Sequence, residues 1–225
     1  MQTLNYSGTK KLPEFFTENE INLILTQILS SKDYWKGNHK DWGEFMRMRD
    51  VCLIATTYLL ALRPKEACAL KFSDFNWRTS TVKIRGENNK VKKDRIIPVP
   101  KILLNFYKSY LKFPKLRFWR GSPYLFPSME GDYITPESFK RIFREKALKP
   151  LGLWEMPERV GSKRTIYKLR HSRASHILNK QIKEKGIADI HLIANFLGHS
   201  DLRSTQVYLH TNKNYQEYLR DTIEL

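Results

Sequence analysis

Between Phe45 and Leu62 the chain reads FMRMRDVCLIATTYLLAL, and Arg63-Pro64 follows at once. A helix over this run is apolar on most faces, which suits the centre of a core and not its surface. Its longest apolar part, Val51 to Leu62, is interrupted by Thr56 and Thr57 and is too short to span a bilayer. The proline then ends it. The residue before a proline is pushed out of the α region, while Pro64 suits the first position of a new helix. Arg63 is therefore expected on a bend between two helices, with Glu66 in the first turn of the second.

The flanking sequence reads as further helices and one small sheet. Thr17 and Glu20 have the spacing of a capping box, and Phe16 and Ile21 can staple around it, so a helix is expected to about Ser30. Residues 30–44 read as a loop turning at Gly37 and Asn38. Thr81–Arg85 and Arg95–Val99 read as two strands of a hairpin joined by a long basic loop. Helices return after Lys101. Thr135-Pro136-Glu137 is a cap, a first-position proline and an acidic first turn, opening a helix through about Ala147. Residues 150–165 form a longer loop. Helices are expected over Ile166–Asn179, over Ala188–Leu197 with Gly198 as its stop, and over Asn214–Glu224. The fold class is mainly α with a small antiparallel β-sheet, α+β, and 225 residues suffice for one or two domains with a core.

Charge says most about the partner. Lys and Arg number 40 against 23 Asp and Glu, a formal net charge of +17. Such self-repulsion is relieved by a polyanion, and nucleic acid leads because neutralising phosphates releases counterions. A membrane surface and a ribosomal niche remain open at this point. The stretches KKDR, KLRFWR and RVGSKR mix cations with aromatic groups and are candidates for phosphate contacts. The N-terminus lacks the apolar core of a signal peptide, and Cys52 and Cys68 read as buried, reduced thiols, so a cytoplasmic, nucleoid-associated protein is expected. No GxxxxGKS/T or GxGxxG phosphate cradle, no GxSxG elbow and no HExxH or Cys/His cluster occurs. Neither a cofactor nor a metal is indicated.

What is left is a scattered set of cations and one tyrosine. Arg63 lies in ALRPKE, Lys90 in the hairpin loop eight residues before Pro98, Arg170 and His171 in YKLRHSRASH, and Tyr208 nine residues after His199 in LGHSDLRSTQVY. In this order and spacing the chain resembles the catalytic domain of the tyrosine recombinases, the phage integrase family. ALRPKE matches its G/A-L-R-x-x-E motif, YKLR matches H-x-L-R in part, and LGH with the later tyrosine matches its nucleophile motif. The likeness covers residues 12–225, with residues 1–11 a polar lead-in. Two departures stand out. Tyr167 replaces the first His of H-x-L-R, and a phenol can hydrogen-bond phosphate but does not shuttle protons near neutral pH. The family's usual N-terminal DNA-clamping domain is absent; either the chain is a fragment or the clamp is supplied otherwise.

The resemblance implies that Tyr208 attacks a phosphodiester of double-stranded DNA, giving a 3′-phosphotyrosine and a free 5′-hydroxyl. It implies that Arg63 and Arg170 hold the phosphate, that His199 accepts a proton or bonds the phosphate, and that Lys90 protonates the leaving oxygen. Tyr167 and His171 are candidates for phosphate contact or support. Glu66 either favours its helix start or orients Arg63. His176 and His191 read as structural, His39 and His210 as exposed. The tail after Tyr208 puts Tyr215, Tyr218, Leu219 and Ile223 on one stripe, to pack on its own domain or to dock on a neighbour in a tetramer assembled on DNA. The reading is a site-specific recombinase from a mobile element; a non-catalytic DNA-binding regulator of the same fold and a type IB topoisomerase are the alternatives.

Overall fold

Thr17 opens the first helix. Its hydroxyl accepts from the Glu20 N–H (3.1 Å), and the Glu20 carboxylate accepts from the Thr17 N–H (2.8 Å). Helix α1 then runs Glu18–Ser30 and buries Ile21, Ile24 and Ile28. The computed structural model describes residues 15–32, 34, 40–88, 92–113, 122–129, 132–154 and 165–210. The Gly37-Asn38 turn and the Asn214–Glu224 helix lie outside the described residues.

Helix α2, Lys40–Leu59, is the central element and packs against α1 and against α3, α4 and α6, described below. It begins five residues before the expected Phe45. Its first turns carry charges and a glycine that read as loop, but Trp42 packs edge-on against Phe45, with ring centres 6.3 Å apart, and that contact favours the helix there. Thr57 is accommodated inside because its hydroxyl donates to the Leu53 carbonyl one turn back (2.7 Å). Short helix α3, Pro64–Cys68, follows the bend.

A three-stranded antiparallel sheet comes next, in the order β1 (Phe75–Asn76), β2 (Thr81–Ile84), β3 (Arg95–Pro98). Val82 pairs with Ile97 and Lys83 with Ile96, so one face of the hairpin is buried and the other faces out. The two-residue β1 is too short to show a period in sequence. At the base of the β2–β3 loop the Gly86 N–H donates to Asp94 Oδ1 (2.7 Å). A Cβ on Gly86 would lie 2.6 Å from the Lys92 backbone, so the two arms close only over a glycine.

Helix α4 spans Lys101–Tyr110. Thr135 caps α5, Pro136–Ile142, which widens into a π-type turn over Phe143–Leu148. Helix α6, Tyr167–Lys185, extends six residues beyond the expected Asn179. Its last turns are polar, with Ile182 the buried anchor, and it stops at Gly186, φ +69°. Asp189 caps α7, Ile190–Leu197. Helix α8, Arg203–His210, was not anticipated.

Two apolar clusters result among the described residues. The larger surrounds α2 and includes Phe16, Leu53, Tyr107, Tyr110, Phe139 and Phe143. The smaller joins α6, α7 and α8 through Ala174, Leu178, Ile193, Leu197 and Tyr208, and reaches Ala61 beyond the end of α2. Cys52 and Cys68 are buried free thiols whose pKa burial pushes up. His176 is buried and shares a hydrogen bond with the Tyr58 hydroxyl (2.8 Å), whereas His191, expected to be structural, is exposed on α7. His39 and the His210 side chain lie outside the described residues. Among the described residues no helix is long and apolar enough to cross a membrane.

Candidate active site

The site begins where α2 ends. The Leu62 N–H returns to the Thr57 carbonyl and the Ala61 N–H to Tyr58, both at 3.0 Å, a pair of closing bonds that puts Ala61 at φ +48°. An alanine there costs about 1–2 kcal/mol over a glycine. Its carbonyl accepts from Arg170 Nη1 (2.9 Å), and its methyl belongs to the smaller core, two contacts that help hold the strained turn. Arg63 follows in extended backbone, φ −68° and ψ 147°, as its place before proline requires.

Glu66 organises what surrounds the bend. Its buried carboxylate accepts the Arg63 N–H (2.7 Å) and pairs with Arg63 Nη1 (3.2 Å). Arg95, the first residue of β3, grips it with both terminal nitrogens (2.8 and 3.0 Å). Arg170 Nη1 stands 3.7 Å away. Burial alone would raise the pKa of this carboxyl, but the Arg95 hydrogen bonds and charge, the Arg63 N–H and the Arg170 charge hold it below its ordinary value. Three guanidinium groups thus converge on one anion.

Arg170 also ties the turn after α2 to the end of α7. Beyond Ala61, its Nη2 donates to the carbonyl of Leu197, the last residue of α7 (2.7 Å). That carbonyl is one of those a helix end leaves unpaired. Burial and the neighbouring Arg63 push the Arg170 pKa down to about 10, so it stays charged at neutral pH. Gly198 then turns the chain at φ +67°, and a Cβ there would lie 3.0 Å from Arg95 Cδ and Nη1. His199 follows. Its Nδ1 shares a hydrogen bond with Thr205 Oγ1 (2.8 Å), and burial, with Arg170 and Arg63, lowers its pKa to about 4.

Tyr208 comes in from α8. Its side chain is 3% exposed and packs in the smaller cluster, while its oxygen shares a 2.6 Å hydrogen bond with His171 Nδ1. Burial pushes the phenol up to about 12, against the opposing pull of Arg170 and Arg63. Burial, with Arg170 and Lys168, lowers the His171 pKa, so the ring is neutral at pH 7.

The structure therefore brings Arg63, Glu66, Arg170, His171, His199 and Tyr208 together. Tyr167 stands 56% exposed at the first position of α6, one turn before His171. Lys90 lies outside the described residues. Two contributors went unread in the sequence. Arg95 was counted with the basic stretch KKDR as part of a phosphate-binding face, but its guanidinium turns inward onto Glu66. The one cue was its place opening a strand whose far end is Pro98. Thr205 carried no cue, because α8 itself was not foreseen. A separate cavity of about 330 Å³, lined by Tyr34, Arg49, Asp50, Ile142 and Lys146 among others, includes none of these residues.

Helices packed around a small hairpin, with paired arginines beside a buried tyrosine, define a class that comparison confirms. Residues 14–215 match the phage integrase family, and the chain belongs to that family. It is 34% identical over 219 residues to tyrosine recombinase XerA of Pyrococcus horikoshii, covering 96% of this chain and 62% of that one. The chain thus spans about three fifths of that relative's length. Among solved structures, XerH recombinase bound to palindromic difH in a post-cleavage complex shares the fold with a TM-score of 0.69 at 23% identity, over 98% of this chain and 56% of that one. The catalytic domain of bacteriophage HP1 integrase matches with a TM-score of 0.54 at 22% identity, over 92% and 93%.

Proposed function

We propose that this chain is the catalytic part of a site-specific DNA recombinase that cuts and rejoins double-stranded DNA through a 3′-phosphotyrosine at Tyr208. The supporting observation is the meeting of Arg63 and Arg170 at Glu66, with both charges acting on the Tyr208 phenol. Guanidinium is a permanent, planar donor fork that suits the non-bridging oxygens of a phosphate in its transition state. Glu66 holds the two arginines in place before DNA arrives, and preorganised charge of this kind adds little reorganisation cost during the reaction.

The roles follow. As the Tyr208 oxygen bonds phosphorus, the bond to the 5′-oxygen breaks, and Lys90 supplies the proton that oxygen needs. His199 is neutral at pH 7; with Thr205 donating to Nδ1, its Nε2–H is left to bond a phosphate oxygen. Tyr167, exposed at the start of α6, contacts the DNA backbone in this reading. The new ester preserves the phosphodiester energy, so rejoining needs no nucleotide cofactor. In this reading the chain is the integrase of a mobile element and acts as four protomers on paired duplexes through its C-terminal tail.

A second reading rests on one observation. With its tyrosine 3% exposed, the protein could bind DNA as a regulator without cutting it. A pool of randomised duplexes carrying staggered nicks separates the two, because loss of a short 5′-hydroxyl fragment traps any covalent adduct. The recombinase reading predicts an adduct with the parent protein and none with Tyr208→Phe, at equal DNA binding. DNA binding with no adduct in either would establish the regulator.

A further inference from the structure

We propose that His171 is the general base of this site: it takes the phenol proton as Tyr208 attacks and returns it on rejoining. The inference rests on the recombinase reading above. Tyr208 is the nucleophile there, and a buried phenol that must become a phenolate needs an acceptor in contact with it. His171 Nδ1 is that contact, 2.6 Å from the phenol oxygen and within the reach proton transfer requires. The rings lie 5.7 Å apart at 43°, a tilt that leaves the bond as their meeting point. His199, the other imidazole of the site, is engaged with Thr205 instead. Tyr167 cannot serve, since a phenol near neutral pH has no affinity for the proton of another phenol. It also stands exposed, one helical turn before His171 on the same face of α6.

The groups that bear on His171 favour this role. Arg170 and Lys168 on its own helix disfavour the imidazolium, and burial acts with them. Across the site, His199 on the turn after α7 is itself neutral, and Tyr208 on α8 is protonated. A neutral imidazole with a lone pair at Nδ1 carries its own proton at Nε2, and it can accept the phenol proton without first losing one. The balance is simple. The phenol O–H bond breaks, the proton moves to Nδ1, and the phenol electron pair forms the bond to phosphorus as the bond to the 5′-oxygen opens. Rejoining runs the same transfer backwards.

The nicked-duplex assay tests this across a pH series with the parent, His171→Gln and His171→Ala. The Gln variant should form adduct about 10²-fold more slowly at pH 7. Its deficit should narrow as rising pH ionises the phenol unaided, at unchanged DNA affinity. Added imidazole should restore part of the His171→Ala rate. In the DNA-free parent, ¹⁵N NMR at pH 7 should show Nδ1 of His171 unprotonated and Nε2 protonated. A His171→Gln rate at or above the parent's would make the bond a resting lock and overturn the proposal. A deficit of constant size at every pH, with no imidazole rescue, or a proton resident on Nδ1, would also overturn it. If the parent binds DNA and never links to it, the recombinase reading fails, and this inference with it; the other outcomes remove the inference alone.

Discussion

Glu66 is the residue on which the site's geometry turns, because three guanidinium groups share its carboxylate. Removing the anion leaves buried positive charges facing one another, the situation in which breaking a buried pair costs about 3–5 kcal/mol. Glu66→Gln is therefore predicted to lower stability by about that amount in urea unfolding, and to slow adduct formation as Arg63 loses its bearing. The sign of the pH dependence follows from direction. A carboxyl whose folded pKa is depressed contributes stability above its unfolded pKa and loses it as pH falls through the lower folded one. His199 behaves likewise: its ring is held neutral down to about 4, so its contribution is complete above about 6.5 and fades as pH drops toward 4. The urea midpoint of the parent should accordingly fall from pH 6.5 downward, and less steeply in His199→Gln; parallel curves would count against the assignment. Which side chains meet was the most legible part of this molecule, since the motifs had already singled out Arg63, Arg170, His171, His199 and Tyr208. What stayed hidden was who neutralises them. Glu66 was open between a helix-start role and an orienting one, and Arg95 was counted with the DNA-facing cations, because sequence does not show which way a guanidinium turns.

Among the elements, the turn after α7 is a joint that the site depends on. Gly198 meets two demands at once: a left-handed backbone at φ +67° and room for the Arg95 side chain, 3.0 Å from where a Cβ would stand. Gly198→Ala is predicted to lose about 1–3 kcal/mol of stability, and to displace His199 and the Arg95–Glu66 pair together, seen as a reduced adduct rate. Arg95→Lys tests the same joint from β3. A lysine is a point charge that cannot span both carboxylate oxygens, so the adduct rate should fall while DNA affinity holds. Equal loss of both would return Arg95 to the phosphate-binding face. At this scale, strong local signals carried over well. The Thr17 and Thr135 caps, the Arg63-Pro64 bend and the Gly198 stop all stand where the sequence puts them. The misses share one cause, the outweighing of local pattern by tertiary contact. Trp42 packing accompanies the early start of α2, buried Ile182 the extension of α6, and α8 packs on a core made by α6 and α7.

For the whole molecule, a formal charge of +17 has to show itself in salt dependence. If six to ten cations meet phosphates, DNA affinity should drop by about 10³–10⁵ between 50 and 200 mM salt, with log K linear in log salt. A flat response would remove the polyanion from the account. Yet charge alone names no reaction, and the fold has to gather the candidate groups in one place. Arg170 bonds the turn after α2 and the end of α7, so that Ala61, Leu197 and Tyr208 meet in the smaller cluster. The order of motifs along the chain anticipated that meeting, whereas the burial of the phenol could not be read without coordinates. The central claim is that this buried phenol is the nucleophile. Trapping the parent on nicked duplexes, digesting the adduct and locating the nucleotide-bearing peptide by mass spectrometry tests it most directly. The account predicts a single peptide modified at Tyr208. DNA linked through another residue, or DNA bound and never linked, would contradict it.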